Sequence, residues 1–198
     1  TREAIDVIRQ AKKKRLNITC DTAPPYFLLN ENVLLNYDTS FKISPPLRTE
    51  DDRMAVIEGI QDGTIDAIAS DHRARSKDTK VQPFSAASIG AAGIETLFSL
   101  TLELVHKKLI NLNKAISLIS VNPSKILKIK EPTLELNEDA TFIIFSDSCK
   151  STINQKNLMF SPTPFEGRNI KGKILATFIR GNPSYLNSIL KKRLLNEF

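Results

Sequence analysis

Cysteine is scarce in this chain. Cys20 and Cys149 stand alone, in no metal-type spacing, and two cysteines do not make a disulfide framework. A reduced, cytoplasmic setting is the simplest expectation. No window reaches the uninterrupted apolar length of a membrane span, and no signal-peptide pattern opens the sequence. Internal repeats and low-complexity tracts are missing too. Tryptophan is absent and aromatics make up 7% of the residues, so the scattered basic residues behind the net charge of +6 lack interleaved aromatics. That pattern argues against nucleic acid and leaves room for acidic small substrates or an acidic partner. What is present, 198 residues with 41% hydrophobic and 25% charged, suffices for one good core, or one domain and a small appendage.

Periodicity places the elements. Ala4, Ile5, Ile8 and Ala11 recur at helical spacing and predict an amphipathic helix over 3–14, ending in the solvated run Lys12-Lys13-Lys14-Arg15. Leu16–Cys20 reads as a strand, followed by a turn through Asp21-Thr22-Ala23-Pro24-Pro25. A helix with almost nothing before it to cover its apolar face suggests the C-terminal part of something longer. Residues 30–48 read as irregular, because Pro45 and Pro46 exclude regular structure. Thr49 then caps a helix that runs through Met54, Ile57 and Ile60 and stops at Gly63. A strand over 65–69 follows directly, which is half of a repeating βα unit. Helices are expected at 94–106, 112–120 and, opened by Pro123, through Leu127. Beyond residue 130 the pattern changes to strands at 141–145 and 174–179 with a turn at Arg180-Gly181-Asn182-Pro183. The last stretch, 186–198, reads as a basic amphipathic helix carrying Lys191-Lys192-Arg193. The domain boundary therefore falls near residue 130, dividing 1–130 from 131–198.

The most informative stretch is 65–74, where a β-prone segment feeds Ser70-Asp71-His72 into a loop. Parallel α/β barrels present their catalytic groups where strands end and loops begin. Asp71 is thus a candidate ligand or base; on local sequence alone it also suits a cap for the next turn. His72 and His106 are read as hydrogen-bonded structural histidines, the latter at a helix C-terminus, and Cys20 as a core residue.

Several features then occur in one order: Ile43-Ser44-Pro45-Pro46-Leu47-Arg48, the Asp71-His72 strand end, Gly93-Ile94-Glu95-Thr96, Asn122-Pro123-Ser124-Lys125-Ile126-Leu127 and Thr163-Pro164-Phe165-Glu166-Gly167. This series resembles the C-terminal portion of class I dihydroorotases of the amidohydrolase superfamily, over nearly the whole chain to about residue 185. The resemblance implies an α/β fold: the last strands of a metal-dependent (β/α)₈ TIM-like barrel, then a small β-rich module. Leu16–Cys20 would be the seventh barrel strand and Ile65–Ser70 the eighth. It implies reversible closure of N-carbamoyl-L-aspartate to dihydroorotate, a step of pyrimidine biosynthesis. One or two zinc ions in the complete protein would polarise the carbonyl and supply hydroxide. Asp71 matches the aspartate that binds metal and shuttles the proton. Substrate contact would fall to Ser44, Arg75 and the backbone of Ile89 and Gly90.

Four places along the chain, one of them a four-residue stretch, depart from the family pattern. Ser44 replaces an asparagine, Arg75 a histidine, Ala23-Pro24-Pro25-Tyr26 a Thr-Pro-His-His signature, and Ile89 the phenylalanine before Gly90. Arg75 still offers bidentate recognition of a carboxylate, while Ser44 offers fewer donors than asparagine. The alternative reading is a catalytically silent homologue serving as structural partner of aspartate transcarbamoylase. A homo-oligomer, and association with the missing N-terminal portion of the same protein, are also expected partners. A free-standing binding module fits least, since two barrel strands leave unpaired edges.

Overall fold

The computed structural model describes residues 1–131, 133–188 and 190. Helix α1 spans Arg2–Lys13, with the Thr1 hydroxyl accepting from the Ala4 amide at 3.2 Å. Helix α3 spans Glu50–Asp62, with the Thr49 hydroxyl accepting from the Asp52 amide, also at 3.2 Å. It ends at Gly63, whose φ of +83° suits a residue without a Cβ. The two helices pack side by side, stitched by Arg2 to Asp51 and Glu58 and by Arg9 to Asp62. Both follow the sequence reading, because caps and periodicity are local signals.

Between them the chain departs from that reading. Leu16–Cys20 is not a strand; β1 comprises Asp21–Thr22, and pairs in parallel with β2, Ala67–Ile68, in the register Asp21 to Ala67 and Thr22 to Ile68. Side chains explain the short ladder. The Cys20 amide, which could have continued it, donates instead to Asp66 Oδ2 at 2.9 Å. Lys12 Nζ holds the same oxygen at 2.6 Å. Leu16 and Ile18 are 56% and 38% exposed, so no sheet covers that stretch among the described residues. Nor does Pro24-Pro25 make a turn: it opens helix α2, Pro24–Leu28, where a proline lacks only an amide that would be orphaned in any case. Phe27 on α2 is fully buried and joins Ile5, Val56, Ile60 and Ile68 in the main core.

After β2 the chain makes a short helix α4, Lys77–Lys80, and then the apolar α5, Leu97–His106. Leu100, Leu102 and Leu104 are all buried, as expected of a helix enclosed on several sides. Helix α6, Leu112–Ile116, runs through a π-turn at Ser117–Val121 into α7, Asn122–Ile126. The two helices expected separately are thus one continuous run. Pro123 has no N–H to return to Ile119, and the widened turn precedes it.

The remaining strands form an antiparallel sheet in the order β3, Phe142–Thr152, β4, Asn169–Ile179, and β5, Asn182–Leu186. Arg180 and Gly181, at φ +51° and +80°, are the two residues of the β4–β5 hairpin turn, so Asn182 and Pro183 belong to a strand rather than to the turn. The sheet lies against α5: Ser99 Oγ donates to the Gly172 carbonyl at 2.8 Å, Arg168 forks onto Glu103 at 2.7 and 2.8 Å, and Phe98 meets Phe145 edge-on at 4.9 Å. Of the helix expected over 186–198, Leu186 closes β5, while position 189 and the tail 191–198 with its basic run lie outside the described residues.

Candidate functional site

Asp71 lies three residues past the C-terminal end of β2, exposed, with φ +45°. Left-handed backbone is uncommon for residues other than glycine, and aspartate tolerates it better than most. The side chain lines a cavity of about 630 Å³, together with Tyr26 of α2, Thr22 of β1, Pro45 and Arg48. Tyr26 Oη donates to the Pro45 carbonyl at 3.0 Å and reaches Asp71 Oδ2 at 3.4 Å. Burial first, then the charge of Asp71, pushes the phenol well above its ordinary pKa, so Tyr26 stays a donor. Sequence reasoning registered Tyr26 only as a departure from a motif; its proximity to Asp71 depends on the turn of α2 that the two prolines disguised.

The other predicted residues gather a short way off. Ser44 is exposed, and the flanking Ile43 and Leu47 pack with Ala91. Arg75 Nε donates to the Ile89 carbonyl at 2.9 Å, and the Gly90 amide donates to the Lys42 carbonyl at 3.0 Å. The segments bearing Ser44, Arg75, Ile89 and Gly90 are therefore tied to one another, with the Gly90 amide engaged inside the protein. Two lysines reinforce the tie. Lys42 Nζ donates to the carbonyls of Phe84 and Ser85 at 2.7 and 3.0 Å and lies 5.4 Å from the Phe84 ring centroid. Lys80, only 3% exposed, donates to the carbonyls of Lys42 and Ser88 at 3.3 and 3.1 Å. Burial, with Lys42 nearby, lowers the Lys80 pKa.

His72 faces the start of α5. Its Nδ1 accepts from the amides of Gly93 and Ile94 at 3.2 and 3.3 Å, which places the ring proton of a neutral imidazole on Nε2. Phe160 rests on the ring edge-on at 4.8 Å, and Glu95 accepts the amides of Met159 and Phe160 at 3.0 and 2.9 Å. The neighbouring segment docks through the Pro162 carbonyl, which accepts from the Ala92 amide at 2.8 Å, and through buried Phe165 against Leu100. His106 Nε2 is 3.0 Å from the Asp147 carbonyl. Cys20 Sγ contacts the Thr64 carbonyl at 3.1 Å.

Among the described residues no group of three or more His, Cys, Asp or Glu side chains converges on a point where a metal ion could sit. Asp71 is one carboxylate donor, whereas a catalytic zinc takes about three protein ligands. These residues do not by themselves fit a zinc centre. Among the described residues, too, no helix is long and apolar enough to cross a membrane.

A parallel strand pair flanked by helices, with a carboxylate in the loop after one strand, is an α/β arrangement, and residues 2–183 match the Amidohydrolase family. The chain belongs to that family. Its similar relatives include the dihydroorotase of Anaplasma phagocytophilum (strain HZ), 38% identical over 192 residues covering 93% of this chain and 42% of the relative. The dihydroorotase of Syntrophus aciditrophicus (strain SB) is also 38% identical, covering 92% of this chain and 43% of the relative. Among solved structures, the L-hydantoinase (dihydropyrimidinase) of Arthrobacter aurescens superposes with a TM-score of 0.86 at 22% identity, over 93% of this chain and 43% of its own. The dihydropyrimidinase of Brevibacillus agri NCHU1002 gives 0.83 at 25% identity, over 93% of this chain and 42% of its own. The chain thus spans under half the length of the relatives it matches, and its fold is that of the corresponding part of these enzymes.

Proposed function

We propose that this chain is the C-terminal portion of a dihydroorotase-like cyclic amidohydrolase, acting on dihydroorotate and, in reverse, on N-carbamoyl-L-aspartate. The observation that carries the reading is Asp71: a carboxylate beyond the end of a parallel strand, at φ +45°, opening on a cavity beside Tyr26. Relatives named dihydroorotase support the substrate, and the hydantoinase-like fold supports a cyclic amide as the bond attacked. In this proposal β1 and β2 are the seventh and eighth barrel strands, and the chain divides near residue 130, with β3–β5 forming the small β-rich module.

The chemistry asked of this chain is proton transfer. Water adds to the ring amide carbonyl as an Asp71 carboxylate oxygen takes its proton; the carbon–nitrogen bond breaks and the same oxygen returns the proton to the departing ring nitrogen. Tyr26, its Oη 3.4 Å from Oδ2 and fixed on the Pro45 carbonyl, steadies the carboxylate from one side. Arg75, whose Nε is anchored on Ile89, presents the rest of its guanidinium to the substrate carboxylate, and Ser44 a hydroxyl. The zinc implied by the resemblance enters the proposal only through donors outside these 198 residues, with Asp71 as this chain's contribution.

The test is dihydroorotate ring opening by the complete protein, with Asp71→Asn beside it. Loss of about 100- to 10,000-fold in turnover is expected, the usual worth of a positioned acid–base group. Unchanged turnover in the variant, or none in the folded, zinc-supplemented parent, overturns the proposal.

A further inference from the structure

A buried ammonium is costly unless its hydrogens are used, so the position of Lys80 needs a reason. The helix that carries it, α4, is a single turn between long irregular stretches. Its sequence, Lys77-Asp78-Thr79-Lys80, looks like an ordinary solvated charge run. Yet Lys80 is 3% exposed and Lys77 is exposed. The Lys80 ammonium reaches two carbonyls from opposite sides: Lys42, two residues before Ser44, and Ser88, one residue before Ile89. The Lys42 carbonyl also accepts from the Gly90 amide, so two donors from the 77–90 stretch converge on it. Further bonds hold α4 itself: Thr39 Oγ1 donates to the Lys80 carbonyl at 2.6 Å, and the Ser88 amide to the Thr79 carbonyl at 2.9 Å. Lys42 Nζ fastens the tip of the same loop at Phe84 and Ser85.

We infer that Lys80 is a positioning residue for substrate recognition, its ammonium bracing the Ser44 segment against the Ile89-Gly90 segment. This inference rests on the dihydroorotase reading for the identity of the substrate, but the brace itself does not. Each segment alone is irregular chain; beside the direct bond from the Gly90 amide to the Lys42 carbonyl, one cation shared by two carbonyls adds a second, charged tie between them. Hydrogen bonds from a charged donor are the stronger kind, and leaving a carbonyl without its donor is costly. The brace stands apart from Asp71 and Tyr26, so it acts on binding rather than on proton transfer.

The experiment uses the complete protein with Lys80→Met, which keeps the length of the stem and removes the charge. Two readings are taken: hydrogen exchange at the Gly90 amide, and KM and kcat with dihydroorotate as the probe. Gly90 exchange is expected to quicken about tenfold and KM to rise about tenfold, with kcat held within about twofold. Lys80→Arg, which keeps a cationic donor, restores part of both, and Lys77→Met on the same helix turn changes neither. Should Lys80→Met not fold, Lys80→Gln carries the same expectation. Unchanged Gly90 exchange, a fall in kcat at constant KM, or an equal effect of Lys77→Met overturns the inference. If no form turns over dihydroorotate, the dihydroorotase reading fails, while the exchange result still decides whether the brace exists.

Discussion

The two sheets of this chain are held in opposite ways. The antiparallel sheet β3–β4–β5 supplies its own order, with strands of 11, 11 and 5 residues joined by ladders and a tight hairpin. The parallel pair β1–β2 has two residues in each strand and depends on what surrounds it: α1, α2 and α3, a carboxylate standing in for a ladder bond, and one apolar core. The candidate site belongs to the second kind. Antiparallel neighbours pair through local turns, whereas a parallel pair needs a long crossover, and here the crossover itself builds the cavity wall. Loops at the end of such strands are free to carry chemistry because the scaffold beneath them is fixed elsewhere.

Substitutions break this comparison in graded steps. Phe27→Ala, emptying a fully buried position under the parallel pair, should cost about 3–5 kcal/mol, read as a lowered denaturation midpoint in urea. Gly172→Ala attacks the other sheet: a Cβ there would lie 2.4 Å from Leu102 Cδ1, at a φ of +108°. Overpacking and backbone strain together should cost about 2–4 kcal/mol in the same assay, with the damage reported where β4 meets α5. Asp66→Ala removes the acceptor shared by the Cys20 amide and Lys12, and should cost about 1–2 kcal/mol. If Asp66→Ala were neutral while Gly172→Ala was severe, the parallel pair would need no side-chain substitute for its ladder.

The smallest effect is a matter of pH. Hydrogen bonds from Arg53 and Asn30 lower the Glu50 carboxyl from its ordinary value to about 2. Because the folded value lies below the unfolded one, the contribution is complete above the ordinary carboxylate range and is lost as pH falls through about 2. Glu50→Gln should therefore flatten slightly the decline of thermal stability between neutral and strongly acidic pH. An identical acid profile in both proteins would show that this exposed pair adds nothing measurable.

The helices α1, α3 and α5 were legible because their signals are local: an apolar stripe, a threonine cap, a stopping glycine. Asp71 was legible as a carboxylate at the end of a β-prone run. The strand expected at Leu16–Cys20 was not, because whether a segment pairs depends on its neighbours, and Asp66 intercepts the Cys20 amide. Pro24-Pro25 suits a turn or a first helical turn equally well, so α2 stayed hidden and Tyr26 with it. Lys80 left no mark at all: its partners are backbone carbonyls, which every sequence contains. The order of motifs along the chain told more about family than any one element did, and residues 2–183 fall within that family.

Glu95 has one consequence of its own. By receiving both the Met159 and Phe160 amides, it pins the connection between β3 and β4 to the start of α5, where Phe160 leans on His72 beside Asp71. The last third of the chain thus holds a finger against the loop that carries the candidate carboxylate. A single cut in the connection ahead of Phe160 would leave every described strand intact and leave that finger joined covalently through β4 alone.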